Sequence, residues 1–499
     1  MDEQEKIDKR AHVRLIVTEI LMFLSVLFLV GLLTLIVMGY SFNLQEIGGS
    51  GEVVERSGLV QVSSLPTGAT ILIDGEAPLL LTTNASRTML AGEHEIMLEK
   101  DGFDSWNKKI NVVEGIMYRL NYPRLFRKER EAEMVFWFKF GEVDFAKMPE
   151  KYMMGDEIKS GGVKFATVSP NHEKMVILIE SNLYMMNLNE SKPELKLIGV
   201  VDASEKMIAV NSMRQVEWSG NSERVLAQVN GEWVVINVKN PKETVWLESI
   251  MSSEVSAGEK RDGIAVKEVK FESEAGEKLL VLGSNEALYE LNIRDKRISE
   301  ALVEKVKSFD NDSDRVVLLN DEDELKAYRV GDQDSYLIAE MESGAKFATM
   351  RYFQESYVGV MTNGEFEIYR KIGWASGDED MERIFCDEVQ FEVAEVKKRG
   401  KGMVFELAGD SNDAVFDIEA MKLISVNASN AGWVDEYLRY RLQDGKLTVV
   451  DYDGANEREL VKSGVVDGRT VTISGNNKWL YYFAKDESGV EKLVREKIL

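Results

Sequence analysis

Few side chains in this sequence are of the types that carry out chemistry unaided. Its 499 residues include three histidines, His12, His94 and His172, and one cysteine, Cys386. Zinc needs several close Cys, His or carboxylate ligands, and a nucleophile needs a base within reach. The histidines lie far apart and share no motif, and a single thiol cannot close a disulfide within the chain. No G-x-x-x-x-G-K phosphate loop, G-x-G-x-x-G turn, H-E-x-x-H pair or G-x-S-x-G elbow occurs. Carboxylates are plentiful, at 86 Asp and Glu. Asp321-Glu322-Asp323-Glu324 reads as a solvated loop between strands. Asp451-Tyr452-Asp453-Gly454 lacks the spacing and final Glu of a calcium loop and reads as a hairpin turn. Glycosidic cleavage requires two carboxylates at a set separation, which a sequence cannot single out among so many. Catalytic, cofactor-binding and metal residues are therefore expected to be none, and Cys386, beside Phe385, is expected to pack rather than react.

The 61 Lys and Arg against 86 acids leave a net charge of −25 and a pI near 4.8. A chain this acidic repels phosphate backbones, and no basic patch stands apart, so nucleic acid is excluded as a partner. With 44% apolar and 29% charged residues the composition is that of a globular protein. At roughly 100–200 residues per domain the length implies two to four domains.

The positioning elements begin with Ile20–Tyr40, an apolar run without charge. About 21 residues at ~1.5 Å each span ~32 Å, enough for a hydrocarbon core of ~30 Å. A cleaved signal peptide would have a shorter apolar region and a small-x-small site, which Gly39-Tyr40-Ser41-Phe42-Asn43 does not offer. Lys6, Lys9, Arg10 and Arg14 precede the run and only Arg56 follows closely, so the tail is expected in the cytoplasm and the rest outside. The expected boundaries are a tail at 1–14, a transmembrane signal anchor at 15–40 and a linker at 41–56 containing Gly48-Gly49-Ser50-Gly51.

A compact β pattern follows. Leu59–Val62 reads as a strand, Pro66-Thr67-Gly68-Ala69 as a turn, and Ala69–Ile73 as a second strand closed by Asp74-Gly75. Gly92 and His94 open an alternating strand through Ile96 and Leu98. Lys100-Asp101-Gly102-Phe103 and Trp106 then lead into a last strand through Ile110 and Val112. This order, P-x-G-A, D-G, G-x-H and K-x-G-F-x-x-W, resembles a PEGA domain over residues 57–125. The resemblance implies a small β-sandwich-like module of prokaryotic surface proteins and no catalysis. Ala77-Pro78-Leu79-Leu80-Leu81-Thr82-Thr83 departs from the usual Gly-Lys-Thr-Pro-like stretch, so that loop is expected to differ. His94, Phe103 and Trp106 are expected to be structural.

From about residue 160 a unit of strand, polar turn and further strands recurs every ~40–50 residues, the period of a four-stranded propeller blade. Phe165–Leu188 and Val216–Val238 are the best copies; weaker ones start near Val269, Val306, Phe347, Val404, Trp433 and Ile473. The turns Ser169-Pro170-Asn171, Ser219-Gly220-Asn221 and Ser474-Gly475-Asn476 resemble those of TolB-like and WD-repeat-like propellers. Sheets of this size cannot bury both faces alone, and circular stacking solves that. Glu133–Phe140 is expected to complete the last sheet and close the ring. The expected fold is mainly β: one transmembrane helix, a PEGA-like β-sandwich, and a propeller of seven or eight blades over 130–499. As the repeats run to Leu499, no accompanying hydrolase domain is expected.

The expected function is that of a single-pass bacterial surface protein whose propeller is a non-catalytic platform for an envelope protein, with cell-wall glycan as the other candidate and the lipid bilayer bound through the helix. The competing expectation is an envelope enzyme acting on glycans or peptides, which predicts acids with raised pKa values gathered at the channel mouth.

Overall fold

The computed structural model describes residues 2–37, 40–42, 54–77, 81–139, 151–152, 157–159, 163–202, 206–251, 264–332, 335–372, 381–399, 403–410, 412–427, 431–485, 487 and 489–499. The Gly48–Gly51 spacer and Pro78–Leu80 lie outside them. The chain divides into two compact units, Met1–Glu129 and Arg130–Leu499.

The first unit opens with helix α1, Asp2–Val37. Its stretch Ile16–Thr34 has a mean hydropathy of 2.6 and buries nothing in the protein, as length and composition for crossing a membrane require. Tyr40, expected to end the apolar span, instead lies in strand β1, Tyr40–Phe42, which pairs antiparallel with β2, Val54–Val62. Strand pairing thus reaches into the expected linker from both ends. Tyr and Phe suit a strand, and β2 supplies the partner.

Two sheets follow. One holds β1, β2 and β4 (Ala85–Leu90), with β7 (Met117–Leu120) also on β2; the other holds β3 (Thr70–Ile73), β5 (Gly92–Glu99) and β6 (Trp106–Val112). Val60, Val62 and Met89 from the first sheet and Ile71 and Ile96 from the second line one interior, the sandwich expected. Asp74 and Gly75 have φ of 52° and 82°, and Ile73 and Glu76 exchange backbone hydrogen bonds around them. That is the tight turn for which Asp-Gly is suited. Trp106 is fully buried and meets Tyr122 edge-on at 6.0 Å.

The second unit contains, among the described residues, eight successive sheets of four or five strands plus a two-stranded ribbon. The first to seventh begin at Val163, Met213, Val266, Val306, Lys346, Val393 and Ala431. The expected unit start at Val404 is a correction: Val404–Gly409 is the second strand of its sheet, behind Val393–Arg399. The charged Glu395, Lys397, Lys398 and Arg399 disguise that first strand as a polar segment. The eighth sheet joins Thr472–Ile473, Trp479–Lys485 and Glu491–Lys497 to β8, Ala132–Lys139, in antiparallel register. Closure of the ring by the segment around Glu133 is as expected.

Each sheet touches the next. Trp218 Nε1 donates to Thr167 Oγ1 at 3.1 Å, joining the first and second sheets, and Asn221 N–H to Glu274 O at 2.9 Å, joining the second and third. Asn311 Nδ2 donates to Phe271 O at 2.9 Å and Arg315 Nη1 to Ser356 Oγ at 2.8 Å, carrying the chain of contacts to the fifth. Tyr352 OH donates to Glu419, Trp433 Nε1 to Glu406 at 2.7 Å, and Tyr440 OH to Arg469 O at 3.2 Å, reaching the eighth. Gly475 N–H then donates to His172 O at 2.7 Å, returning to the first. The unit is a closed ring of sheets, a β-propeller.

The three Ser turns share one geometry. In each, the Ser hydroxyl bonds the Asn two residues on at 2.8 Å, and the next residue, His172, Ser222 or Asn477, has φ near 54–60°.

Candidate functional site

The first strands of the ring sheets bring charged side chains together. Glu217 stands on Met213–Trp218, Glu268 and Lys270 on Val266–Phe271, Asp310 on Val306–Asp312, and Lys398 on Val393–Arg399. Lys398 Nζ donates to Asn311 O at 2.6 Å, from the sixth sheet to the fourth and past the fifth. That reach is available only where first strands converge.

Lys270 Nζ lies 2.6 Å from Asp310 Oδ1 and 3.6 Å from Glu268 Oε1. The other Asp310 oxygen accepts the Thr349 N–H at 2.7 Å. Burial alone would raise the Asp310 carboxyl, but Lys270 and Lys398 hold it below the ordinary range. Burial likewise opposes the Lys270 ammonium, and Asp310 and Glu268 outweigh it, so its pKa is raised. Glu217 is pushed up to about 7, mainly by burial, against Lys270, the Phe271 N–H and Lys398. Desolvation outweighs the two ammoniums here, and it raises the Glu268 carboxyl as well.

A second ionic group joins the sixth and seventh sheets. Glu406 accepts Arg399 Nε at 2.9 Å and Trp433 Nε1 at 2.7 Å, while Arg439 pairs with Asp413. The guanidiniums of Arg399 and Arg439 lie 5.7 and 5.5 Å from the centre of the Trp433 ring. These cations and the indole attract each other through the ring quadrupole.

The residues singled out from sequence do not assemble into a site. His94 is tied to Asp74 Oδ2 at 2.7 Å and Leu90 O at 2.9 Å, a structural role as expected. His172 Nδ1, within the ring, is 3.0 Å from Thr472 Oγ1 of the eighth sheet, and His12 lies in α1. Asp321–Glu324 forms the turn between Arg315–Asn320 and Glu324–Arg329, and Asp451–Gly454 closes a hairpin through Gly454 N–H to Asp451 O at 2.9 Å. Cys386 departs from expectation: it is exposed on the strand Glu382–Glu388, the outermost of its sheet among the described residues.

Cys386, Glu365 and Glu367 place ligand atoms within 4.8 Å of one another. The signal was the i, i+2 spacing of two Glu on one strand face, opposite Cys386 in register with Glu367. Desolvation and both carboxylates raise the Cys386 thiol, disfavouring thiolate, and Glu367 already accepts from Tyr369 OH at 2.6 Å and from Arg383 at 2.5 Å. The donor set fits an ion poorly.

Comparison with known proteins identifies residues 57–125 as a PEGA domain. No curated protein matches the chain. Among solved structures it is similar to a chain of the mitotic checkpoint complex (13% identity, TM-score 0.38, covering 71% of this chain and 98% of that one). It is similar also to oligogalacturonate lyase from Vibrio parahaemolyticus (11% identity, TM-score 0.36, 66% and 88% covered). The computationally designed Ika8 protein is a third (11% identity, TM-score 0.39, 72% and 99% covered). At such scores the propeller assignment rests on the strand pairing described above.

Proposed function

We propose that this protein is a single-pass surface protein of a bacterial envelope, anchored by α1, with its ring acting as a non-catalytic platform for a basic partner protein. The PEGA domain, a module of surface proteins, and the Lys and Arg bias of the N-terminal tail support that placement. The observation that carries the non-catalytic reading is the occupancy of Asp310. One oxygen meets Lys270 and the other accepts the Thr349 N–H, and Lys270 and Lys398 hold the carboxyl below the ordinary range, so it is a poor proton acceptor beside Glu217. The cluster then acts as an internal brace between sheets, and binding falls to the loops at the ends of the ring.

Charge selects the partner. Residues 130–499 contain 69 acidic and 48 basic side chains, whereas residues 57–129 contain nine and eight. Nearly all the negative charge is on the ring, so a complementary surface is cationic. Crosslinking pull-down from intact membranes, comparing the full chain with a version ending at Glu129, tests this. A protein captured only by the full chain, and lost as salt is raised, supports the reading. Capture by both versions overturns it.

Glu217 favours a second reading. A carboxyl titrating near 7 beside Lys270 suits general acid catalysis on an envelope glycan or peptide. Turnover of cell-wall material that disappears in Glu217→Gln would replace the first reading with this one.

A further inference from the structure

Large apolar side chains exposed outside α1 fall into two sets among the described residues. Met207, Leu337, Phe353 and Met421 are scattered over different sheets of the ring. Leu90, Val113, Ile116 and Met117, 42–55% exposed, gather at one end of the PEGA domain. Leu90 stands opposite Ser57 in register, and Met117 opposite Leu59. The Gly115 N–H donates to Ser57 O at 3.0 Å and the Leu59 N–H to Ile116 O at 3.0 Å, binding the turn that carries Val113 and Ile116 to the same stretch of β2. Gly58 permits that approach: a Cβ there would lie 2.6 Å from Val113 O.

The same stretch of β2 adjoins the end of α1. Tyr40, three residues after Val37, pairs with Arg56, the residue before Ser57. Three residues reach at most ~11 Å and neighbouring strands lie ~5 Å apart, so the patch sits within a short step of the helix end. The headgroup layer on each face of a bilayer is ~5–8 Å deep. Arg56 and Glu114, paired at 3.0 Å, flank the patch, and the near balance of acids and bases in 57–129 removes electrostatic repulsion from an anionic surface.

We infer that Leu90, Val113, Ile116 and Met117 form a membrane-contact face that seats the PEGA domain on the lipid surface of the bilayer crossed by α1. The inference rests on the anchor reading of α1 and adds that the domain lies against the membrane instead of standing away on its linker. The lipid is recognised through apolar side chains entering the headgroup–acyl boundary, not through a specific headgroup.

The test uses the full chain with Cys386→Ser as background, reconstituted in phosphatidylcholine vesicles. Single cysteines Ile116→Cys, Asp101→Cys and Val30→Cys carry an environment-sensitive fluorophore, and the vesicles contain or lack nitroxide-headgroup lipid. Asp101 is an exposed turn residue at the opposite end of the β5–β6 hairpin, ~20 Å along the strands from Ile116. The label at 116 is expected to shift to the blue and lose most of its intensity to the nitroxide, and the label at 101 to do neither. An unquenched 116 with a quenched 30 overturns the contact face and leaves the anchor standing. A blue-shifted but unquenched 116 overturns it in favour of a protein cover, such as a second copy. An unquenched 30 overturns the anchor reading and the contact face with it. Equal quenching at 116 and 101 overturns the orientation.

Discussion

The Lys270 ammonium and the Asp310 carboxylate, 40 residues apart in sequence, meet at 2.6 Å and join the third and fourth sheets of the ring. Removing one partner of a buried pair leaves an uncompensated charge, which costs about 3–5 kcal/mol. Lys270→Met is therefore expected to lower stability by about 3 kcal/mol, the lower end because Lys270 keeps some exposure. The double variant Lys270→Met, Asp310→Leu is expected to recover much of that. Urea denaturation of the three proteins checks both.

Glu217 gives the ring a pH dependence of known sign. Its folded pKa, about 7, lies above the ordinary carboxylate value, so the native state holds a proton that the unfolded chain has released. Its contribution is complete below the unfolded pKa and falls away as pH rises from about 4.5 to 7. Glu217→Gln is expected to flatten that decline and to raise stability at pH 8 by up to about 3 kcal/mol before screening by water. Urea midpoints between pH 4.5 and 8 measure it.

Asp74 has the opposite sign. Its pKa is lowered by the Glu95 N–H first and by His94 next. Such a group adds stability above its unfolded pKa that is lost as pH falls through the folded value. Because Asp74 is half exposed, Asp74→Ala is expected to cost less than about 1 kcal/mol. The sharper readout is amide exchange at Glu95, whose N–H donates to Asp74 Oδ1 at 2.8 Å and should exchange faster in the variant.

Arg495 ties the closing sheet to the first sheet of the ring. Its guanidinium lies 2.8 Å from Glu133 Oε2 on β8, donates to Ser191 O at 2.8 Å, and stacks 3.9 Å from the centre of Trp479. Arg495→Ala is expected to cost about 3 kcal/mol. Hydrogen exchange should rise most in Ala132–Lys139 and Glu491–Lys497, and a uniform rise across the ring would argue against a latch.

Local features were legible in the sequence. An uninterrupted apolar run makes a lipid-compatible helix whatever surrounds it. Asp74-Gly75 turns tightly because both residues tolerate positive φ, and Ser169, Ser219 and Ser474 each cap a turn with an Asn two residues away. Even the pairing of β8 with the last sheet could be inferred, because a strand left over at one end of a repeat array matches a gap at the other.

What the tertiary structure alone decided is where the charges go. Glu217, Lys270, Asp310 and Lys398 look like the solvent face of half-buried strands, and the charges of Val393–Arg399 hide that strand from periodicity for the same reason. Periodicity reports which side chains share a face of a strand, a property of a few neighbouring residues. Whether that face meets water or other charged strands is set by closure of the ring, which depends on all the sheets together. The same holds for Leu90, Val113, Ile116 and Met117. They fall on separate segments, and only the register of β2 with β1, β4 and β7 brings them together beside the end of α1.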